Sequence, residues 1–269
     1  MTFTAPAGVT AILLAGARPV PDPLAVAAGV PVKPLAPVAG APMIAYPARA
    51  LLDHPAVADV VVLTQRADAF AADPATAWMA TEPRIRFERS GQGIATSLLA
   101  LMDREDLRYP LLLTTADHVL LNGAMLDQVM DEAAGADIAV AMVERATLLA
   151  RYPGSRRTWL KFRDGWWSGA NIFWIGGPAA RQAIALWQEV EQDRKKGWKI
   201  LSVFGPLALA GAMLRILTLR GGMARIGRRM GLDARLVAMR QPEACIDADK
   251  VSDVETIEAI LTERARDQD

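Results

Sequence analysis

The chain of 269 residues has one cysteine, Cys245, and two histidines, His54 and His118. A single thiol excludes an intramolecular disulfide framework and a Cys-rich zinc site. Two imidazoles leave little room for a His-based metal centre. Net charge is also missing, since 30 Lys and Arg balance 30 Asp and Glu. Without a global positive field the chain does not read as a nucleic-acid coat, and no nucleic-acid partner is expected. Long apolar runs are absent too. The longest charge-poor stretch, residues 200–214, is too short to span a bilayer and contains Gly205 and Pro206. Residues 1–8 carry no basic n-region, so no signal peptide is expected and the expectation is a soluble, cytoplasmic protein.

Hydrophobic residues make up 52% and charged residues 22%, enough apolar material for a core and too much for disorder. Residues 9–15 (VTAILLA) form an apolar run ending at Gly16, the pattern of a buried parallel strand entering a loop. Residues 16–40 are rich in Pro, Gly and Ala and read as a long loop. Further strands are expected at 59–64, 84–88, 109–115 and 137–143, with helices at 43–52, 94–103 and 122–134. Strands alternating with helices define βαβ units and a mostly parallel sheet, with ligands at the carboxyl ends of the strands. Beyond these, 161–164 and 168–174 read as paired strands around Gly165-Trp166-Trp167, and helices are expected at 179–195 and 254–265.

Three segments can carry chemistry. The first is Leu14-Ala15-Gly16-Ala17-Arg18, followed by Lys33-Pro34-Leu35. A Gly-containing loop after a strand presents backbone N–H groups to phosphate, and Arg and Lys neutralise it. An ordinary turn is the alternative. The second is Asp117, at the end of an expected buried strand, where a carboxylate can hold one Mg²⁺ or simply cap a turn. The third is Ile246-Asp247-Ala248-Asp249, whose two acids share one side if the segment is extended. Asp253 reads as a first-turn acid of the last helix. His118 reads as a turn or substrate-edge residue. Cys245 and the cluster of Trp159, Trp166, Trp167 and Trp174 read as packing.

In order along the chain, LLAGAR, VKPL, TTADH and the closing IDADKVSDVETIEAIL resemble the MobA-like NTP transferases, a nucleotidyltransferase superfamily with a GT-A-type fold. The resemblance covers residues 9–145 and the last 25 or so, with a looser match at 168–173. It implies a Rossmann-like, three-layer α/β domain with a mostly parallel sheet and a helical basic insertion near the C-terminus. The expected division is a core at 1–193, a basic, largely helical insertion at 194–240, and a strand and helix at 241–269 completing the core. Carried over by position, Leu14, Ala15, Gly16 and Ala17 meet the nucleotide, and Arg18 and Lys33 bind its phosphates. Asp117 and Asp249, with Asp247 beside them, hold Mg²⁺. Ser90, Gln92 and Gly93 lie where relatives bind base or ribose, and Asn171 where they contact the acceptor. Two departures stand out: Ala17 replaces a common second glycine, and Lys250-Val251 replace a common Thr-Pro.

The implied reaction is transfer of a nucleoside monophosphate from an NTP, CTP or GTP, to a phosphorylated small molecule, with release of pyrophosphate. Sugar, alditol and pterin phosphates all stay open as acceptors. Two other readings are a glycosyltransferase of the same fold type, using a nucleotide sugar, and a non-catalytic nucleotide-binding protein. Residues 194–240 hold eleven Lys or Arg against one acid, Asp233. This stretch reads as a solvated face, an anionic-acceptor site, or a transient membrane-surface contact through 200–229.

Overall fold

The computed structural model describes residues 8–17, 20, 22–192 and 217–266. In chain order these form β1 (Val9–Leu14), α1 (Pro23–Ala28), β2 (Pro37–Val38), β3 (Ala41–Pro42), α2 (Ala45–Asp53), β4 (Val57–Thr64), α3 (Ala67–Ala72), β5 (Ile85–Arg89), α4 (Ile94–Met102) and β6 (Leu111–Thr115). There follow α5 (Gly123–Ala133), β7 (Ile138–Glu144), α6 (Arg145–Arg151), β8 (Leu160–Phe162), β9 (Gly165–Ile175), α7 (Arg181–Gln192), α8 (Leu219–Arg229), β10 (Ala234–Ala238) and α9 (Val251–Arg266). Strands and helices alternate as in a Rossmann-like α/β fold. Two compact units emerge, the first comprising residues to Ser90, Leu113–Leu126 and residues from Ile246, the second Gly91–Leu112 and Asp127–Cys245.

In the first unit the strand order is β6-β1-β4-β5, and β1 runs parallel to β4 and β4 to β5. Val9, Thr10, Ala11, Ile12 and Leu13 of β1 are all buried, as expected of an inner parallel strand covered on both faces. The stretch after β1 is more ordered than a loop. Asp22 caps α1 by accepting from the Leu24 N–H at 2.9 Å, Pro23 fits the first helical turn, and Gly29 ends it at φ 67°. A 3₁₀ turn at Lys33–Leu35 then leads to the β2–β3 hairpin. Its tight turn needs two positive φ values, supplied by Ala39 at 45° and Gly40 at 83°. The Ala39 N–H donates to Glu258 of α9 at 2.8 Å, which ties the C-terminal helix to the hairpin.

In the second unit β10 is parallel to β7, while β9 is antiparallel to both β7 and β8. The β8–β9 turn falls at Arg163 and Asp164, because Phe162 pairs with Gly165. Trp166 and Trp167 therefore belong to β9 and not to the connection expected from sequence. Trp167 is drawn into a core with Met142, Leu219 and Leu236, and Trp166 stays partly exposed with Lys161 and Arg145 near its ring. Trp174 and Cys245 are buried as packing residues. The expected basic insertion lies outside the described residues from 193 to 216. Beyond it, 219–229 is helical and 234–238 is a sheet strand. Helix α8 buries Leu219, Gly222 and Gly227 and exposes Arg220, Arg225, Arg228 and Arg229, so it offers solvent a charged face with no apolar stripe. Among the described residues no helix is long and apolar enough to cross a membrane.

Candidate active site

Parallel strands end on the same edge, so the loops after β1, β4 and β5 collect in one place. The Ala15 N–H donates to Leu63 O at 2.9 Å and the Ser90 N–H to Thr64 O at 3.0 Å. Gly16 lies against Gln65 and Ser90, with room for ordinary contact only. The Ala17 N–H is held by Gln65 Oε1 at 2.8 Å. Gln65 is a site residue that sequence analysis missed, although its place directly after a buried strand was a usable signal. Arg18 lies outside the described residues.

The end of β6 joins the same edge, because the Ala116 N–H donates to Leu14 O at 3.0 Å. This sets Asp117 just beyond the strand. Ala248 donates its N–H to Asp117 O at 3.1 Å and so brings the late acidic segment alongside, across 131 positions of sequence. Asp253, in the first turn of α9, accepts from the Asp249 N–H at 3.2 Å and steadies the approach to the helix. Among the described residues, Asp117, Asp247 and Asp249 form the one group of acids with ligand atoms all within 4.8 Å of one another. Lys33 reaches into this group from the 3₁₀ turn, with Nζ 2.7 Å from Asp117 Oδ2 and 2.8 Å from Asp249 Oδ1. Burial alone would lower the lysine pKa and is the largest single influence. The two carboxylates together outweigh it, and Lys33 sits above its ordinary value, firmly charged.

The donor set suits a hard divalent cation. It consists of carboxylate oxygens only, the chemistry Mg²⁺ prefers over sulfur or imidazole. Asp117 Oδ1 is buried and has no hydrogen-bond partner, so it carries lone pairs that the fold leaves unsatisfied.

His118 follows Asp117 and closes a turn, its N–H donating to Thr115 O at 3.1 Å. Its ring is buried, only 1% exposed, which removes it from any substrate edge. Nδ1 lies 3.2 Å from Thr114 Oγ1, and burial pushes the ring pKa down to about 4, with Arg264 adding to that and Asp117 opposing it. The folded state therefore binds this proton less readily than the unfolded chain. Stability from His118 is complete above about pH 6.5 and is lost progressively as pH falls toward 4. Between pH 7 and pH 5 the wild type should lose about 2 kcal/mol more than His118→Gln, by urea denaturation. Equal pH slopes for the two proteins would contradict a buried neutral imidazole.

In the second unit, Gln92 and Gly93 lead into α4. Gly93 is the residue before the helix and has no capping side chain. Glu191 of α7 substitutes, accepting from the Ile94 N–H at 2.9 Å and the Ala95 N–H at 3.1 Å. A Cβ on residue 93 would meet that carboxylate and displace it from the helix start. Ser97 Oγ accepts from the Gly91 N–H at 2.9 Å and donates to Gly93 O at 2.7 Å, stiffening the loop. No sequence signal pointed to Glu191, since it reaches this helix from 97 positions away. Asn171 sits where the β7–β9 register slips, between Val140 and Met142, at a positive φ of 51°. Asn tolerates that conformation better than most residues, and such bulges re-aim side chains.

A lysine and three acids are thus gathered beyond the strand ends of a Rossmann-like α/β sheet. Residues 27–208, more than half of the chain, match the MobA-like NTP transferase domain, and the chain belongs to that family of nucleotidyltransferases. A solved structure from Thermus thermophilus, described as a hypothetical transferase, is 25% identical with a TM-score of 0.74, over 92% of this chain and 99% of that one. The 4-diphosphocytidyl-2C-methyl-D-erythritol synthase of Anaerococcus prevotii shares the fold at 7% identity and a TM-score of 0.58, over 95% of this chain and 96% of that one. A CMP:2-keto-3-deoxy-manno-octonic acid synthetase solved with CTP does so at 15% and 0.52, over 96% of this chain and all of that one (100%). No curated protein matches the sequence.

Proposed function

We propose that this chain transfers a nucleoside monophosphate from CTP or GTP to a phosphorylated small-molecule acceptor, releasing pyrophosphate. The observation that carries this reading is the meeting of Lys33 with Asp117, Asp249 and Asp247 beside the end of β1. Asp117 and Asp249, with Asp247 adjacent, are the residues that would hold Mg²⁺. When bound, the ion supplies neutralisation of phosphate oxygens and orientation of the leaving group. Lys33 contributes a fixed ammonium for the charge on the triphosphate, and Arg18 is assigned the same role. Residues Leu14–Ala17 line the edge where the nucleotide lies. Ser90, Gln92 and Gly93 are assigned to base or ribose, and Asn171 to the acceptor.

An oxygen of the acceptor phosphate attacks the α-phosphorus and forms the new P–O bond. The bond from the α-phosphorus to the bridging oxygen breaks, and pyrophosphate leaves with its electron pair. The attacking oxygen is already anionic near neutral pH, so the chain needs no general base. This agrees with the chemistry present: the carboxylates are gathered for a cation, and His118 is buried away from solvent. Catalysis then rests on positioning and charge neutralisation. A fold relative solved with CTP makes CTP the first nucleotide to test. Four NTPs should be screened against sugar, alditol and pterin phosphates, with pyrophosphate release as the readout. One pairing should release pyrophosphate and yield a nucleoside-diphosphate-linked product. Hydrolysis of a nucleotide sugar in its place would overturn the reading.

A further inference from the structure

Asp117, Asp247 and Asp249 bring ligand oxygens within 4.8 Å of one another and repel, and Lys33 offsets this at Asp117 and Asp249. The ammonium is hydrogen-bonded to one oxygen of Asp117 and one of Asp249, with only 17% of the lysine side chain exposed. Those two residues are the same ones that would bind the metal, and lone pairs that accept from an ammonium are not available to a divalent ion. We propose that Lys33 is a built-in counter-ion that holds free divalent metal out of the acidic cluster and yields only when a polyphosphate takes the ammonium. This rests on the reading of the cluster as the metal site.

The physical argument is one of exchange. A free metal ion entering alone would place two more positive charges beside a half-buried ammonium and take away both of its hydrogen-bond partners. A charged group stripped of partners in a partly desolvated position is costly. A polyphosphate arriving with the metal changes this, because its oxygens replace the carboxylates as partners of Lys33. The carboxylates are then released to the metal, with Asp117 Oδ1, already unpartnered, as a lone-pair donor from the start. Metal and polyphosphate therefore bind with positive coupling, each favouring the other. The cluster would take up metal as the nucleotide complex and stay closed to the free ion.

The test measures Mn²⁺ binding to the full chain by electron paramagnetic resonance, with no nucleotide present. Lys33→Met should bind free Mn²⁺ about tenfold more tightly than wild type, within the range typical of coupling between sites. Lys33→Arg keeps the charge and should bind as weakly as wild type. With inorganic tripolyphosphate added, the order should invert, and Lys33→Met should hold the Mn²⁺ complex more weakly than wild type. Circular dichroism melts check that each variant is folded. If folded Lys33→Met binds free Mn²⁺ no more tightly than wild type, the counter-ion role is overturned. Adding Asp117→Asn to Lys33→Met separates the two levels. A double variant that binds Mn²⁺ as well as Lys33→Met overturns the metal-site reading itself.

Discussion

Asp117→Asn should lower turnover by at least about 10³-fold while leaving the fold in place. The magnitude follows from the position of the carboxylate. Loss of one preorganised charge-stabilising group alone costs about 10²–10³ in rate, and Asp117 both contacts Lys33 and belongs to the acidic cluster. Structural damage should be small for two reasons. The side chain is a fifth exposed. The contact that anchors the late acidic segment is to the main-chain oxygen of Asp117, which Asn retains. A melting temperature within a few degrees of wild type, together with lost pyrophosphate release, is the expected pair of results. Turnover within tenfold of wild type would remove Asp117 from the catalytic machinery.

Lys33→Ala should weaken nucleotide binding and slow turnover by about 10²–10³-fold, the cost of losing one charged donor from a phosphate site. A second effect has the opposite sign. Without its ammonium the cluster keeps three neighbouring carboxylates and loses the cation that bridges Asp117 and Asp249. Millimolar Mg²⁺ should then raise the melting temperature of the variant more than that of wild type. Titration calorimetry with the productive NTP and thermal melts with and without Mg²⁺ read the two effects separately. Unchanged nucleotide affinity with normal turnover would show that the loop carrying Lys33 does not serve the nucleotide.

The two expectations differ in what they require of the fold. Asp117 depends on a strand end, and strand ends follow from apolar runs that can be read residue by residue. Lys33 depends on the meeting of three segments, at 33, 117 and 247–249. Their order along the chain suggested a common site only through resemblance to a family. The meeting itself is made by backbone contacts such as that of Ala248 with Asp117.

Sequence alone determined the alternation of strands and helices, the buried character of β1, and the class of chemistry. The apolar run of residues 11–15 before Gly16 and the three leucines 111–113 before Asp117 fit buried strands covered on both faces, and their alternation with helices points to a mostly parallel sheet. With two His and one Cys, the chain leaves its polar chemistry to carboxylates and lysine. What sequence read as a long loop after β1, the structure resolved into α1, a 3₁₀ turn and a hairpin, because local caps such as Asp22 and Gly29 act over only a few residues. Trp166 and Trp167 moved from a connection into β9, because burial of Trp167 against Leu219 and Leu236 outweighs the turn signal of Gly165. Gln65 at the Ala17 N–H, Glu191 at the start of α4 and the ammonium of Lys33 between two aspartates were decided by tertiary structure alone. Each is a polar contact between residues 48 to 216 positions apart, and no local propensity encodes which distant partner satisfies a given donor.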